Sequence, residues 1–307
     1  LKAINLTPEL EDINIDEIVK YVWSKKIVIS IITFLFAISS IFYSLSLPNV
    51  YRSSVVLSPA DNSSNTIAGS MSTQIGGIAS LAGISLGSME SSESLAALEV
   101  MQSWSFIDSF IINNNLMVKL EAAKNWDKQT NKLVIDNNIY DNESRQWIDG
   151  VPTSFQLYKN LIGRIEVIKN IETKMIEVSM DHYSPIIAKE LLVLYIKAIN
   201  DHMRLRKLEE SKLNIVFLEA QLKKTPLREM KEILFGLIET ETKNIMLAEA
   251  RPEYAFSTVS EAMIAEEKES PKRARIVILV TFFGGVFVTV FYIIIYTLKR
   301  KNEKYNT

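Results

Sequence analysis

The stretch Ile276–Leu298 constrains the fold of this chain more than any other, because it reads IVILVTFFGGVFVTVFYIIIYTL and contains no charged residue. As a helix it is about 34 Å long, enough to cross a hydrocarbon core of about 30 Å with some tilt. Basic residues flank it, with Lys272 and Arg273 before it and Lys299 and Arg300 after it. A buried helix of a soluble enzyme is the alternative, but such helices seldom run this long without a charge. We therefore predict a transmembrane helix at 276–298.

A second uncharged stretch, Ile27–Leu47, is about 21 residues long and predicts another transmembrane helix at 27–47. A cleaved signal peptide is the competing interpretation. The segment 1–26 is acidic in its first half and the apolar run is longer than the usual ~7–15 residues, so we expect the span to be retained. The two spans then bracket a single large domain at 48–275.

Lysines predict the orientation of the chain. Lys20, Lys25 and Lys26 precede the first span, and the positive-inside rule places that end in the cytoplasm. With two crossings, the arm 1–26 and the tail 299–307 are both cytoplasmic and 48–275 is periplasmic. We expect a two-span protein of the bacterial inner membrane.

Composition excludes several classes of chemistry. The formal net charge is −2, so nothing indicates nucleic acid as a partner. The chain has no cysteine, which excludes disulfides, thiolate metal sites and cysteine nucleophiles but does not fix the compartment.

Small residues recur along one face of each predicted span. Such stripes let membrane helices approach closely, although small residues are common in spans and chance is the alternative. The candidate helix-packing residues are Ser40, Ser44, Thr281, Gly284, Gly285 and Thr289.

The domain between the spans begins and ends with strand patterns. The segments 51–58 and 254–260 are each next to a span, and we expect them to pair. The segments 164–169 and 174–180 alternate and predict a hairpin. From 94 to 113 the pattern predicts one helix. A glycine- and serine-rich tract, 60–92, contains no lysine, which argues against a phosphate-binding loop.

Ser184-Pro185 gives the clearest helix start, with serine as N-cap and proline at the first helical position. The apolar pattern then continues for about 40 residues, about 60 Å, breaks at Thr225-Pro226 and resumes to Arg251. We predict an α+β fold, in which a small membrane-proximal base (48–182 and 252–275) carries a long protruding helical arm (184–251). The stripe expected to need partners comprises Leu191, Leu194, Leu205, Leu208, Leu218 and Leu222.

Catalytic constellations are missing from the sequence. His182 and His202 are the only histidines, and His202 lies on the apolar stripe, where a packed histidine is commoner than a metal ligand. Pairs such as Glu209 and Glu210 point to different sides of a helix and cannot share a substrate atom. We expect no enzyme activity, no metal and no cofactor.

Six short motifs follow one another across nearly the whole chain: Ile15-Asp16-Glu17-Ile18, Trp23-Ser24-Lys25-Lys26, Tyr51-Arg52-Ser53, Ser184-Pro185-Ile186-Ile187-Ala188, Ser270-Pro271-Lys272-Arg273 and Gly284-Gly285. In these motifs and their order the chain resembles the Wzz family of polysaccharide co-polymerases, the chain length determinants of O-antigen and related surface polysaccharides. The family's proline-rich stretch before the second span is reduced here to Pro271.

This resemblance implies a homo-oligomeric ring that acts with the membrane polysaccharide polymerase to set chain length without making or breaking bonds. It leaves a lipid-linked polysaccharide open as a ligand. A capsule or exopolysaccharide export component of the same superfamily is one alternative. A periplasmic sensor is another, but the tail Lys299–Thr307 is too short for the output module that a sensor usually needs.

Overall fold

The computed structural model describes residues 15–60 and 92–305. It divides the chain into two compact units, Leu1–Pro48 with Ser270–Thr307, and Asn49–Glu269. The helices are α1 (Ile15–Ser24), α2 (Lys26–Ser46), α3 (Ser92–Met101), α4 (Trp104–Asn113), α5 (Met117–Glu121), α6 (Ser154–Ile162), α7 (Pro185–Lys224), α8 (Arg228–Ala250) and α9 (Arg273–Tyr305). The strands are β1 (Tyr51–Pro59), β2 (Ala123–Asp127), β3 (Lys132–Ile135), β4 (Tyr140–Asp141), β5 (Gln146–Trp147), β6 (Ile165–Lys169), β7 (Ile176–His182) and β8 (Phe256–Ser260).

The first unit consists of α1, α2 and α9. Its two long helices are apolar and long enough to cross a membrane, over Lys26–Ser46 and Arg273–Lys299, as the sequence predicts. They pack against each other along their length. The short helix α1 lies beside the end of α9, where the rings of Tyr21 and Tyr296 are 4.7 Å apart. All three helices thus form one packed group.

The second unit is built on a four-stranded antiparallel sheet in the order β6-β7-β1-β8. The two strands nearest the spans in sequence, β1 and β8, are hydrogen-bonded neighbours, and β6 and β7 form the expected hairpin. Along β1, Ser53, Val55 and Leu57 are buried and alternate with partly exposed residues, which is the period of a strand with one covered face. Both strand pairings predicted from the sequence are therefore confirmed.

The core lies between this sheet and the first half of α7. α7 packs on β1 and β7, and its residues Leu192, Tyr195 and Ile199 are fully buried in the same core cluster as Val178 and Leu57. Full burial of a large apolar side chain contributes about 1.5–3 kcal/mol. The first half of α7, from Pro185 to Met203, is thus part of the core of this unit. The sequence analysis had assigned it to the protruding arm rather than to the base.

Side-chain caps fix where three helices begin. The hydroxyls of Ser103, Thr153 and Ser184 each accept a hydrogen bond from the backbone N–H three residues on, at the starts of α4, α6 and α7. The cap at Ser103 divides the single helix expected over 94–113 into α3 and α4, which meet at a bend of 66°. That expectation was wrong because a local hydroxyl cap interrupts an otherwise continuous apolar pattern.

The α3–α4 pair is also apolar enough to pass as a broken membrane span by composition. Its apolar side chains are used inside the domain, however, because Ile107 and Ile111 of α4 are fully buried in the core cluster. We therefore interpret the pair as core helices. The glycine- and serine-rich tract lies almost entirely outside the described residues.

Between α5 and α6 the chain forms two small hairpins, β2–β3 and β4–β5, that the sequence pattern did not reveal. Each turn is held by an aspartate, Asp127 or Asp141, which accepts hydrogen bonds from a hydroxyl three residues on and a backbone N–H two residues on. Asn131 and Arg145 then take positive φ angles of 53° and 54°. The repeated order of an aromatic residue, Asp, two residues and Thr or Ser is the signal that could have predicted them.

Candidate functional site

The helices α2 and α9 approach each other closely at two adjacent glycines. A methyl group added at Gly284 would lie 2.9 Å from Cγ of Phe36 and 3.1 Å from its Cβ, whereas one added at Gly285 would lie an ordinary 3.4 Å from the methyl of Thr33. Ser40 and Ser44 of α2 are buried within the same unit. The lack of a side chain at Gly284 is therefore what makes room for the Phe36 ring.

Hydroxyl groups in the paired helices bond mainly to their own helix. Ser40 donates to the carbonyl of Ala37 at 2.8 Å, and Thr289 donates to that of Gly285 at 2.8 Å. The hydroxyls of Ser44 and Thr281 have no partner among the described residues. Interhelical contact here thus comes from close packing rather than from hydrogen bonds between the hydroxyls.

Arg273, in the first turn of α9, binds the end of α2. Its guanidinium donates to the carbonyl of Ser44 at 3.1 Å and to that of Leu47 at 3.4 Å. Helix C-terminal carbonyls lack intrahelical partners and carry partial negative charge, so a cation stabilises them. The sequence indicated Arg273 as a flanking charge and as part of the motif Ser270-Pro271-Lys272-Arg273, but not as a partner of α2. Pro271, the residue of the predicted proline motif, lies two residues before Arg273 and follows a cis peptide bond.

In the second unit, α7 and α8 form an antiparallel helical hairpin around the connection Thr225–Leu227. The six predicted stripe residues are not in one environment. Leu191 is buried in the core, Leu194 and Leu208 are partly buried against it, Leu218 and Leu222 are partly buried farther along, and Leu205 is 59% exposed. Most of the six leucines are therefore at least partly covered by other residues of the same chain. The apolar surface that remains for a partner is smaller than the sequence pattern predicted.

A carboxylate holds the two helices of the hairpin in register. Glu241 of α8 accepts hydrogen bonds from Ser211 of α7 at 2.7 Å, from Asn214 at 3.0 Å and from Asn244 at 3.2 Å. Burial raises the pKa of Glu241, but the three hydrogen bonds to the charged form outweigh it, so the net pKa is lowered. The sequence showed Glu241 only as one of many helix charges.

Large apolar side chains remain exposed along the hairpin. Phe217 is 62% exposed, and its exposed neighbours in sequence include Leu213 and Val216 on α7. α8 exposes Ile233 and Phe235 in the same way. Apolar surface of this extent on a helix pair is typical of a surface that contacts another molecule.

The two histidines of the second unit have structural roles. His182 is fully buried; its Nε2 donates to the carbonyl of Lys119 at 3.0 Å and its Nδ1 accepts from the N–H of Ser184 at 3.1 Å. Burial lowers the pKa of His182 to about 4, so the ring is neutral and joins α5 to the start of α7. His202 packs its ring edge against Phe106. Across residues 15–60 and 92–305 no group of three potential ligands is placed to hold a metal ion.

Arg52 in β1 is the strongest ion-pairing centre of the sheet. Its guanidinium makes two hydrogen bonds to the carboxylate of Asp181 in β7, at 2.8 and 2.9 Å, and one to Glu166 in β6. The hydrogen bond to Asp181 is the main reason that the pKa of Arg52 is raised. Sequence reasoning noted Arg52 only within the family resemblance, and the contact ties three strands together.

The geometry defines a class of protein in which two span-length helices flank a larger α+β domain with a long helical hairpin, and this confirms the predicted fold class. Residues 11–113 match the family model described as "Wzz: Chain length determinant protein". Over this stretch the chain is similar to the chain length determinant domain of the Wzz family, which confirms the resemblance.

Two solved structures are similar to the chain at low identity. A full-length bacterial polysaccharide co-polymerase is 14% identical with a TM-score of 0.37, over 92% of this chain and 97% of that one. A fragment of WzzB, a polysaccharide co-polymerase from Salmonella Typhimurium, is 10% identical with a TM-score of 0.31, over 72% of this chain and 100% of that one. Curated protein sequences give no match. The similarity to the Wzz family therefore rests on the match over 11–113.

Proposed function

We propose that this protein sets the length of a bacterial surface polysaccharide, either O-antigen or a related polymer, as an oligomeric scaffold beside the membrane polymerase. The observation that carries the proposal is the chain length determinant match over 11–113. This range contains the first span, β1 and the core helices α3 and α4. The match therefore includes both membrane and domain elements.

The hairpin α7–α8 supports assembly into a ring of copies. Its exposed apolar side chains, such as Phe217 and Phe235, are on helices whose other faces are covered within the chain. If a neighbouring copy covered these side chains, their burial would stabilise the ring by about 25 cal/mol for each Å² of apolar surface removed from water. In the proposed ring the polymerase and the growing lipid-linked chain are the partners.

The proposed location is the inner membrane, with 1–26 and 299–307 in the cytoplasm and 48–275 in the periplasm. Lys20, Lys25 and Lys26 support this orientation, because lysines concentrate on the cytoplasmic side of a span. The proposed role is non-catalytic. It is supported by the structural use of His182 and Glu241, whose side chains fasten helices rather than face a shared cleft.

Deleting the gene and complementing it on a plasmid tests the function. We expect the deletion to replace a narrow distribution of polysaccharide lengths on a gel by a broad one without abolishing synthesis, and complementation to restore the narrow distribution. A length distribution that is unchanged, together with loss of capsule, would instead support an export component.

A further inference from the structure

Three aromatic rings form a cluster on the surface of the second unit, where α4 and α6 both begin. The ring of Trp104 lies 5.8 Å from that of Phe155 and 6.4 Å from that of Tyr158, measured between centroids. Trp104 is 50% exposed and Phe155 is 56% exposed. Such large aromatic surfaces usually become buried, so rings left in water on a folded domain suggest a ligand.

A hydrogen bond fixes the orientation of the Trp104 indole. Its Nε1–H donates to the hydroxyl of Ser154 at 2.6 Å, and Trp104 and Ser154 are the first residues of α4 and α6. Both helix starts are themselves capped, by Ser103 and Thr153. The ring is thus held by two rigid elements, which reduces the entropy lost when something stacks on it.

Each of the two helices also places a charged group one turn beyond its aromatic ring. Asp108 follows Trp104 by four residues and Lys159 follows Phe155 by four, so each pair shares a helix face. Oδ1 of Asp108 is buried and has no hydrogen-bond partner among the described residues. Asp108 as a whole is only partly buried, so its carboxyl group borders the surface on the helix face that carries Trp104.

We propose that Trp104, Phe155 and Tyr158, with Asp108 and Lys159 beside them, form a saccharide-binding subsite for the polysaccharide whose length is regulated. A sugar ring has an apolar C–H face that stacks on an aromatic ring, and hydroxyls that donate to a carboxylate and accept from an ammonium group. The subsite supplies all three kinds of contact. This inference rests on the proposed function, because that function brings the polysaccharide to the protein.

A saccharide fits the surface better than a protein partner does. The exposed residues next to the rings in sequence are hydrophilic, with Ser105 on α4 and Gln156 and Lys159 on α6. A stable protein interface buries about 800 Å² on each side with an apolar centre. Two half-exposed rings edged by hydroxyl, amide and ammonium groups match one or two sugar units instead.

The test is calorimetric titration of the purified full-length protein in detergent with polysaccharide released by mild acid from the bacterium that carries the gene. We expect Trp104→Ala to weaken binding by about tenfold and Trp104→Phe to weaken it less, because a ring remains for stacking. Phe155→Ala and Asp108→Asn should also weaken it. Ile171→Ala is the control, since Ile171 is 91% exposed in the turn between β6 and β7, outside the cluster, and this variant should bind as the wild type does.

Circular dichroism of each variant shows whether the fold is retained, and Phe155→Ala and Asp108→Asn provide the test if Trp104→Ala does not fold. Absence of saccharide binding by the wild type, or equal affinity in all folded cluster variants, would overturn the inference. So would loss of polymerase co-purification with unchanged saccharide affinity, because the rings would then contact protein. The proposed function would survive each of these results if gene deletion still broadens the length distribution.

Discussion

The side-chain amide of Asn200 is hydrogen-bonded to both backbone groups of Phe256. Nδ2 donates to the carbonyl oxygen at 3.0 Å, and Oδ1 accepts from the N–H at 2.9 Å. Oδ1 also accepts from the N–H of Ala255 at 2.8 Å. Both Asn200 and Phe256 are buried, so one side chain of α7 holds the beginning of β8, the strand that returns toward the second span.

Replacing Asn200 by alanine should destabilise the protein by about 3 kcal/mol, because three backbone groups would lose their partner in a buried place. Chemical unfolding followed by circular dichroism measures the loss. Asn214→Ala is the control: this amide is partly exposed and donates one hydrogen bond, to Glu241, so its loss should cost about 1 kcal/mol or less. Equal losses in both variants would contradict the importance of the Asn200 contact.

Gly284→Ala should loosen the pairing of α2 and α9, whereas Gly285→Ala should be tolerated. The new methyl group clashes with the base of the Phe36 side chain at the first position and makes normal contact with Thr33 at the second. Overpacking of this kind costs about 1–3 kcal/mol. The thermal unfolding midpoint in detergent should therefore fall by several degrees for the first variant only. Identical midpoints would show that Phe36 moves away at little cost.

Leu205→Glu should reduce the size of the assembly and leave the fold intact. Leu205 is exposed, so a charge there meets water in the monomer but would meet an apolar neighbour in the proposed ring. Size-exclusion chromatography with light scattering measures the assembly. Leu191→Glu is the contrasting variant, because Leu191 is in the core and a charge there should prevent folding. An unchanged oligomer in Leu205→Glu would remove this position from the interface.

The hairpin α7–α8 should lose stability in acid because of Glu241. Its pKa is lowered in the folded state by hydrogen bonds that outweigh burial, so its contribution is present above the unfolded pKa and is lost as pH falls through the folded pKa. Thermal midpoints of the wild type should therefore fall between about pH 5 and pH 3. Glu241→Gln should fall less steeply, and Glu249→Gln, at an exposed position of α8, should behave as the wild type. Parallel curves for Glu241→Gln and wild type would contradict this.

Single introduced cysteines test the topology, since the chain has none of its own. In intact cells a membrane-impermeant maleimide should label Asn142→Cys, on the exposed β4–β5 turn, and should fail to label Lys20→Cys or Lys299→Cys. All three should react after the cells are lysed. Labelling of either terminal position in intact cells would contradict the proposed orientation.

The sequence predicted the elements whose signals are local or strictly periodic. Four features were expected: the two spans, the β1–β8 pairing, the β6–β7 hairpin and the start of α7 at Ser184. Their signals are a long uncharged stretch, an alternation of apolar and polar residues, and a Ser-Pro cap, and each of these can be recognised in the sequence alone. The break at Ser103 and the two hairpins β2–β3 and β4–β5 were not predicted. They depend on hydrogen bonds of single side chains in caps and turns, which leave no periodic pattern of apolar residues in the sequence.

The candidate sites were harder to predict than the elements. A stripe at helical spacing shows that one face is apolar but does not show what covers it, so Leu191 in the core and exposed Leu205 looked equivalent. Contacts between distant polar groups, such as Asn200 with Phe256, leave no periodic signal at all. The grouping of Trp104 with Phe155 likewise depends on how α4 and α6 meet.

α7 is one unbroken helix of 40 residues, about 60 Å, whose first half is clamped in the sheet core and whose far half is locked to α8 through Glu241. Such a helix behaves as a stiff lever. A lateral force applied near Thr225, where α7 ends, would therefore act on the first half of the helix, where the side chain of Asn200 is hydrogen-bonded to the backbone of β8. Such a force would reach β8, the strand that precedes the second span in the sequence.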